Sequence, residues 1–267
     1  MRYFDAHCHI QFPQYDEDRE RLLASMEEQG VGGLVVGVDE ESSAAALELV
    51  RPSGSLWASV GLHPNSAHEF TDIEPYRQLA KDPRVVAIGE CGLDNYRPED
   101  PEVTKTKQLE VFEAHVALAG ETGKPLMIHA RPAKGTNDAY RDLIDILTSA
   151  KKEYGDGFRG NIHFFVGGVE EARTLIELDF TLSFTAVLTF ARDYDDVVRF
   201  VPGTHILSET DSPYVAPAPN RGKRNDPRAV IRVVEAIAGI RNEDPETVRV
   251  DILQNARKLF SLPAAIA

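Results

Sequence analysis

The sequence predicts a single-domain, TIM-type (β/α)8 barrel over residues 1–267, with a metal site at the carboxyl ends of its strands. Its length of 267 residues agrees with the roughly 250 residues over which such barrels form one domain. Eight short apolar runs alternate with longer amphipathic segments, which indicates a parallel sheet covered by helices. Side chains capable of chemistry follow these runs, where a barrel of this type has its active site.

The apolar runs have the length of buried strands. They cover residues 2–7, 31–38, 57–62, 85–90, 126–129, 161–165, 180–184 and 206–209. The seventh depends only on Phe180, Leu182 and Phe184. An open, doubly wound sheet is the alternative. That fold often has a glycine-rich turn after its first strand, whereas the residues at that place here read HCHIQF.

Helical patterns lie between the predicted strands. They cover residues 18–29, 104–122, 137–154, 170–178, 227–240 and 245–260. In the first segment, Leu22, Leu23 and Met26 share one face. In front of the last two segments, Asp226 and Asp244 are expected to cap helices that begin with proline.

The composition excludes several classes of protein. With 42% hydrophobic and 27% charged residues, the chain is neither disordered nor fibrous. No apolar run reaches the ~18 residues of a membrane span, and no signal-peptide pattern opens the chain. The thiols of Cys8 and Cys91 are expected to stay unpaired in a reducing cytoplasm. A net charge of −14 disfavours a broad interface with duplex nucleic acid, although bound dications would reverse the charge locally.

Five of the eight histidines fall at predicted strand ends. His7 and His9 are two residues apart, so a strand would direct both imidazoles to the same side, where they can chelate one metal ion. A hydrogen-bonded histidine pair at a strand end is the alternative. The other candidates at strand ends are His63, Glu90, Asp94, His129, His163, Glu209 and Asp211.

The number of candidate ligands predicts two metal ions. Four histidines, one glutamate and one aspartate exceed what one tetrahedral ion uses, and a carboxylate can bridge two ions ~3.5–4 Å apart. The first ion is predicted on His7, His9, Glu90 and Asp211, and the second on Glu90, His129 and His163. Imidazole with carboxylate suits zinc, manganese, iron or cobalt, and such mixed sites also take abundant magnesium. We expect Mg²⁺ or Mn²⁺ to be the functional ions, with Zn²⁺ as the alternative.

Eight motifs cover nearly the whole chain. They are FDAHCHI at Phe4–Ile10, VGLHP at Val60–Pro64, IGECGLD at Ile88–Asp94, KPLMIHAR at Lys124–Arg131, IHFF at Ile162–Phe165, ILSETDSPY at Ile206–Tyr214, RGKRNDP at Arg221–Pro227 and NARKLF at Asn255–Phe260. In this order they resemble the TatD family of metal-dependent deoxyribonucleases, among the amidohydrolase-like barrels. The resemblance implies a divalent-metal phosphodiesterase acting on DNA, often as a 3′-to-5′ exonuclease. It assigns the same two ligand sets.

The chain departs from the family pattern after two strands. Members usually continue the histidine of strand six as Phe-Ser-Gly or similar, where this chain has Phe164 and Phe165. Many have a glycine-containing turn after strand seven, where this chain reads Phe184-Thr185-Ala186-Val187. No ligand is lost, but the loops that face the substrate are expected to differ.

The predicted chemistry is in-line hydrolysis by a water shared between the two ions. Asp211 is expected to bind metal and to accept a proton from this water. His63 is predicted to contact a phosphate oxygen or the leaving group, and Asp94 and Glu209 are predicted to orient ligand histidines. Predicted contacts to substrate phosphates are Arg131, Arg221, Lys223, Arg224 and Asn225. The alternatives are structural: a helix cap, ion pairs and a solvated basic loop.

The sequence therefore predicts a deoxyribonuclease that acts on single-stranded DNA ends. One alternative is an amidohydrolase-like enzyme on another ester or amide, such as an aminoacyl ester or a small phosphoester. A non-catalytic metal-binding scaffold is a second alternative, which the complete ligand set disfavours. The chain is expected to be a cytoplasmic monomer or weak oligomer, without a membrane or an obligate protein partner.

Overall fold

The computed structural model of the protein describes residues 1–51, 54–96 and 101–263. Eight parallel strands form one sheet in which each strand pairs with the next along the chain. The strands are β1 (Tyr3–Cys8), β2 (Val31–Val36), β3 (Leu56–Val60), β4 (Val85–Asp94), β5 (Leu126–Arg131), β6 (Gly160–Ile162), β7 (Phe180–Phe184) and β8 (Ile206–Ser208). The predicted TIM-type barrel is confirmed, and its seventh strand is present.

The sheet closes between its last and first strands, just beyond the end of β8. The amide of Asp211 donates to the carbonyl of His7 at 2.9 Å, and the amide of His9 donates to the carbonyl of Ser212 at 2.8 Å. The open sheet is therefore excluded. Several predicted strand boundaries shift by one or two residues, and two strand ends shift further. The fourth strand continues past Glu90 to Asp94, and the sixth ends at Ile162, so that His163 follows it.

The helices are α1 (Arg19–Glu28), α2 (Glu40–Leu49), α3 (Glu74–Leu79), α4 (Pro101–Thr122), α5 (Asp138–Tyr154), α6 (Val169–Glu177), α7 (Asp195–Phe200), α8 (Val230–Arg241) and α9 (Pro245–Phe260). Three of them were not predicted. α3 and α7 have six residues each, too few for a periodic pattern. α2 is rich in alanine and serine, but the Asp39 carboxylate caps it by accepting from the Ser42 amide at 2.7 Å. Within the described residues, no helix has the length and apolarity needed to cross a lipid bilayer.

The amino end of the barrel is closed by α9. Phe260 packs on Phe4 of β1, with ring centroids 5.8 Å apart, and Phe4 in turn lies 6.0 Å from Trp57 of β3. Phe4 and Phe260 form a buried cluster with Leu34, Ala87 and Met127, and the partly buried Trp57 packs against it. With the amino end plugged by apolar side chains, the carboxyl end is left for solvent and ligands.

His115 joins α4 to the loop after β3. Its Nε2 accepts a hydrogen bond from the Leu62 amide at 3.1 Å, and its Nδ1 lies 2.8 Å from the Val111 carbonyl, to which it donates. The side chain is fully buried. Burial lowers the pKa of His115 from 6.5 to about 4, because the charged ring would lose its hydration.

We predict that His115 makes the stability depend on pH in mildly acidic solution. The unfolded chain binds the proton first, because the folded pKa of about 4 lies below the ordinary value of 6.5. Its stabilising contribution is complete above pH 6.5 and is lost as the pH falls toward 4, by on the order of 3 kcal/mol. His115→Gln should reduce this loss. The measurement is the free energy of unfolding in urea, with EDTA present, between pH 6.5 and pH 4. His68→Gln, at a 74% exposed side chain, is the control. If the free energy of unfolding fell equally with pH in His115→Gln and wild type, the prediction would be contradicted.

Candidate metal centre

All six residues predicted as ligands meet at the carboxyl end of the barrel. Their side-chain donor atoms fall into three groups, within each of which all atoms lie within 4.8 Å of one another. The groups are His7, His9 and Asp211; His7, Glu90 and His163; and His63, Glu90 and His129. The structure thus adds His63 to the predicted six.

Glu90 is at the middle of the cluster. Its Oε2 lies 3.3 Å from His7 Nε2. Its Oε1 lies 2.9 Å from His129 Nδ1 and 3.0 Å from His163 Nε2. The two carboxylate oxygens therefore face different imidazole groups, which is the geometry a bridging ligand requires.

His7, His9 and Asp211 form the side of the cluster next to β1 and β8. The Nε2 atoms of His7 and His9 are 3.1 Å apart, and Asp211 Oδ1 lies 3.6 Å from His9 Nε2 and 4.0 Å from His7 Nε2. Two imidazoles and a carboxylate thus converge on one small space.

Two glycines bring Glu90 to this place. Gly89 and Gly92 have φ angles of +132° and +139°. Residues other than glycine rarely adopt this backbone conformation. A Cβ at Gly89 would lie 2.1 Å from the Met127 carbonyl oxygen, and one at Gly92 would lie 2.0 Å from the His129 carbonyl oxygen. The pairing register of β4 with β5 shifts between Ile88 and Cys91, and Glu90 lies within this shift.

Asp5 connects the two turns that carry His7 and Asp211. Its carboxylate accepts hydrogen bonds from the Thr210 amide at 2.8 Å, the Thr210 hydroxyl at 2.5 Å and the His7 amide at 3.2 Å. Burial raises the pKa of Asp5 well above its usual range, against these hydrogen bonds. No role for this residue is predicted from the sequence. An aspartate inside an apolar strand was the signal for it, because a buried carboxylate needs partners.

Three imidazoles have a hydrogen-bond acceptor behind them. The distances are 2.9 Å from His9 Nδ1 to the Val36 carbonyl, 3.2 Å from His129 Nε2 to Asp94 Oδ2, and 3.2 Å from His163 Nδ1 to Glu209 Oε1. An acceptor behind a neutral ring holds the proton there and leaves the lone pair of the other nitrogen facing the cluster. Asp94 and Glu209 thus lie where residues that orient His129 and His163 would be needed.

His63 has the opposite arrangement. Its Nδ1 accepts a hydrogen bond from the Asn65 amide at 3.1 Å, so a neutral ring carries its proton on Nε2, which faces Glu90 Oε1 at 3.5 Å. Burial lowers the pKa of His63 to about 4. The neutral ring therefore directs an N–H donor, and not a lone pair, toward the cluster.

The cluster favours positive charge around Glu90. Against the effect of burial, His163, His63 and His7 hold the pKa of Glu90 well below its usual range. Glu90 and Glu209 likewise outweigh burial and raise the pKa of His163. Burial and the nearby His163 lower the pKa of His7 to about 3. Adjacent buried imidazoles cannot all be protonated, because their positive charges repel one another. The carboxylates of the cluster therefore attract more positive charge than protonated histidines can supply.

A cleft of about 870 Å³ opens above the cluster. Arg131 and Lys134 line it after β5, and Arg131 Cζ lies 4.0 Å from the ring centroid of Tyr96. Its aromatic lining residues are Phe12, Tyr96, Phe164, Tyr194 and Tyr214. Sequence reasoning found Arg131 but missed Lys134 and these rings, because loop paths cannot be read from periodicity.

The basic stretch at 221–225 is not among the described residues that line this cleft. Arg221 lies over the Phe190 ring at 4.0 Å, and Lys223 is exposed. Both Arg224 amino groups donate to Asp18, at 2.7 and 2.6 Å. Asn225 is buried, and its amide donates to the carbonyls of Thr210 at 3.1 Å and Val215 at 3.3 Å. The donors of Arg224 and Asn225 thus have protein partners in this structure, and the phosphate contacts of the basic stretch stay predictions.

The sequence departs from the expected family pattern after β6 and after β7. Most side chains at these two places pack inside the protein. Phe165 is 2% exposed, and its ring lies 5.3 Å from that of Tyr140 and 6.3 Å from that of Phe184. Phe164 and Val187 line the cleft. The residues at these two places thus contribute to the core under the cleft as well as to its wall.

A parallel eight-stranded barrel with histidines and carboxylates at its carboxyl end defines the class of barrel-type metal-dependent hydrolases. The family model described as "TatD related DNase" matches residues 4–261. The chain therefore belongs to the TatD-related DNase family, and it is a metal-dependent hydrolase acting on ester bonds.

Individual relatives span the same length. The uncharacterized metal-dependent hydrolase YabD of Bacillus subtilis is 36% identical over 264 residues, which cover 97% of this chain and 99% of YabD. A protein of Erwinia billingiae named "3'-5' ssDNA/RNA exonuclease TatD" is 31% identical, with 98% and 100% covered. The crystal structure of YjjV, a TatD homologue from Escherichia coli K12, superposes with a TM-score of 0.87 at 27% identity, with 98% and 99% covered.

We predict that Gly92→Ala is strongly destabilising, by about 3 kcal/mol or more. Its methyl group would be 2.0 Å from a backbone oxygen of β5, at a φ of +139°. Gly239→Ala in α8 is the matched control, because a Cβ there meets nothing within 4 Å. That change should stabilise by about 0.5–1 kcal/mol. Urea unfolding followed by circular dichroism measures both, and equal midpoints for Gly92→Ala and wild type would overturn this account of β4.

Proposed function

We propose that the protein is a two-metal nuclease that removes nucleotides from the 3′ end of single-stranded DNA. The observation that carries the proposal is Glu90, whose two oxygens face different imidazole groups at the floor of an open cleft. The name of the Erwinia billingiae relative supports the choice of substrate and direction. Arg131 and Lys134 in the cleft favour a phosphodiester over an uncharged amide or ester.

The side chains fit two divalent ions. We propose His7, His9, Glu90 and Asp211 for the first ion, and Glu90, His129 and His163 for the second. The acceptors behind His9, His129 and His163 direct lone pairs into the cluster. When bound, the ions would lower the pKa of a water molecule and neutralise charge on the phosphate. Imidazole and carboxylate together accept Mn²⁺ and Mg²⁺, with Zn²⁺ as the alternative.

Asp211 is the residue proposed to take the proton of the attacking water. Its side chain is 14% exposed and lines the cleft, whereas that of Glu90 is 3% exposed. Water in the cleft therefore has access to Asp211 while Glu90 is enclosed by imidazoles. A carboxylate within hydrogen-bond reach of the nucleophile serves as a general base.

His63 is proposed to stabilise the phosphate or the leaving oxygen. Its Nε2–H is held in the cluster by the Asn65 amide behind the ring. In the proposed reaction a water oxygen bonds to phosphorus and the bond from phosphorus to the upstream 3′ oxygen breaks. The water proton goes to Asp211, and the 3′ oxygen takes its proton from solvent. A donor such as His63 stabilises charge on an oxygen without itself giving up a proton.

Asp211→Asn and Glu90→Gln should each lower kcat on a 5′-labelled single-stranded oligonucleotide by about 10³-fold or more at saturating Mn²⁺. The first removes the proposed base and the second removes half of the proposed bridge. Asp179→Asn is the control, because this carboxylate is 52% exposed and lies 3.6 Å from His205, outside the cluster. Circular dichroism in EDTA checks that all variants are folded. A kcat within about tenfold of wild type for Asp211→Asn would contradict its role as base.

A further inference from the structure

Tyr214 is unusually exposed for a large ring. Among the described residues, Met1 and Tyr214 are the exposed large apolar side chains, at 36% and 51%. Tyr214 lines the cleft, and its amide donates to the Asp211 carbonyl at 2.9 Å. A backbone hydrogen bond to Asp211, a proposed metal ligand, thus fixes the main chain of Tyr214. The ring of Tyr214 remains accessible to solvent.

A second ring lies on the same side of the cleft. Phe12 stacks on His9, with centroids 4.6 Å apart and planes 9° from parallel. The Tyr214 ring lies 6.5 Å from that of His9 at 65°. Phe12 therefore packs against a proposed ligand, whereas Tyr214 stands at the edge with half of its surface uncovered. An exposed aromatic face beside a phosphodiester site suits a nucleobase.

The charges lie on the other side of the cleft. Arg131 and Lys134 follow His129 on the β5 side, whereas Tyr214 and Phe12 are next to His9 and Asp211 on the side of β1 and β8. Glu90 lies between the two sides. The two cations therefore lie on the β5 side, where Arg131 covers the Tyr96 ring, and the exposed ring of Tyr214 lies on the other side of Glu90.

This arrangement matches the two unequal parts of a strand cut near its end. Upstream of the scissile phosphate lies a chain of further phosphates, which cations stabilise. Downstream, at a 3′ end, lies one nucleoside, whose base offers a flat surface to an aromatic ring. We propose that Tyr214 stacks on the 3′-terminal nucleobase, while the upstream backbone passes Arg131 and Lys134. The inference rests on the proposed nuclease function and adds the site that selects an unpaired terminal base.

The test compares two single-stranded oligonucleotides, one with an ordinary 3′-terminal nucleotide and one whose terminal nucleotide lacks its base. Wild type should have a lower KM for the first. Tyr214→Ala should raise the KM for the first by about 5- to 150-fold, the range expected for one stacked base, and leave kcat and the KM for the second nearly unchanged. Tyr214→Phe keeps the ring and should behave as wild type.

A binding measurement separates stacking from catalysis. In the Asp211→Asn background, an oligonucleotide with 2-aminopurine at the 3′ terminus should lose fluorescence on binding, and Tyr214→Ala should abolish this quenching. Equal KM values of wild type for the two oligonucleotides, or quenching that survives Tyr214→Ala, would overturn the inference alone. Failure of metal-loaded wild type to cut either oligonucleotide would instead refute the proposed nuclease function, and this inference with it.

Discussion

The site depends on the placement of one buried carboxylate among imidazoles. A lone ionised glutamate in this position would carry a large desolvation cost, and its neighbours offset it: His163, His63 and His7 hold the pKa of Glu90 far below its usual range. The groups behind the rings decide what each ring can offer. When His129 and His163 are neutral, the acceptors behind them direct lone pairs inward, whereas the donor behind neutral His63 directs an N–H inward. The proposed division into ligands and a hydrogen-bond donor follows from this difference.

The same contacts close the barrel and position residues of the site. The hydrogen bond from the Asp211 amide to the His7 carbonyl joins the two ends of the sheet, and both residues carry proposed ligand atoms. Asp5 reinforces the same junction through Thr210. On the opposite side, Gly92 lets β4 approach β5 closely enough for Glu90 to reach His129. The cluster comes from the ends of six strands, and it is therefore held by the contacts that close and pair those strands.

Much of the architecture follows from the sequence because alternating apolar and amphipathic segments leave few folds. The convergence of the candidate ligand side chains also follows from the sequence, since parallel strands bring their carboxyl ends together. Features set by contacts distant in sequence could not be predicted. β4 continues past Glu90 because its glycines let the backbone lie close to carbonyl groups of β5. Arg224 looked available for phosphate but pairs with Asp18, 206 residues away. Tyr214 stood in a recognised motif, yet only the fold shows that its ring is exposed in the cleft.

We propose that two divalent ions share Glu90, and the rest of the proposed function depends on this sharing. Anomalous diffraction from a crystal soaked in Mn²⁺ tests it most directly, because each ion gives its own peak. The account predicts two peaks about 3.5–4 Å apart, one beside each oxygen of Glu90, with the first near His7, His9 and Asp211 and the second near His129 and His163. A single peak, or two peaks that do not share Glu90, would contradict it.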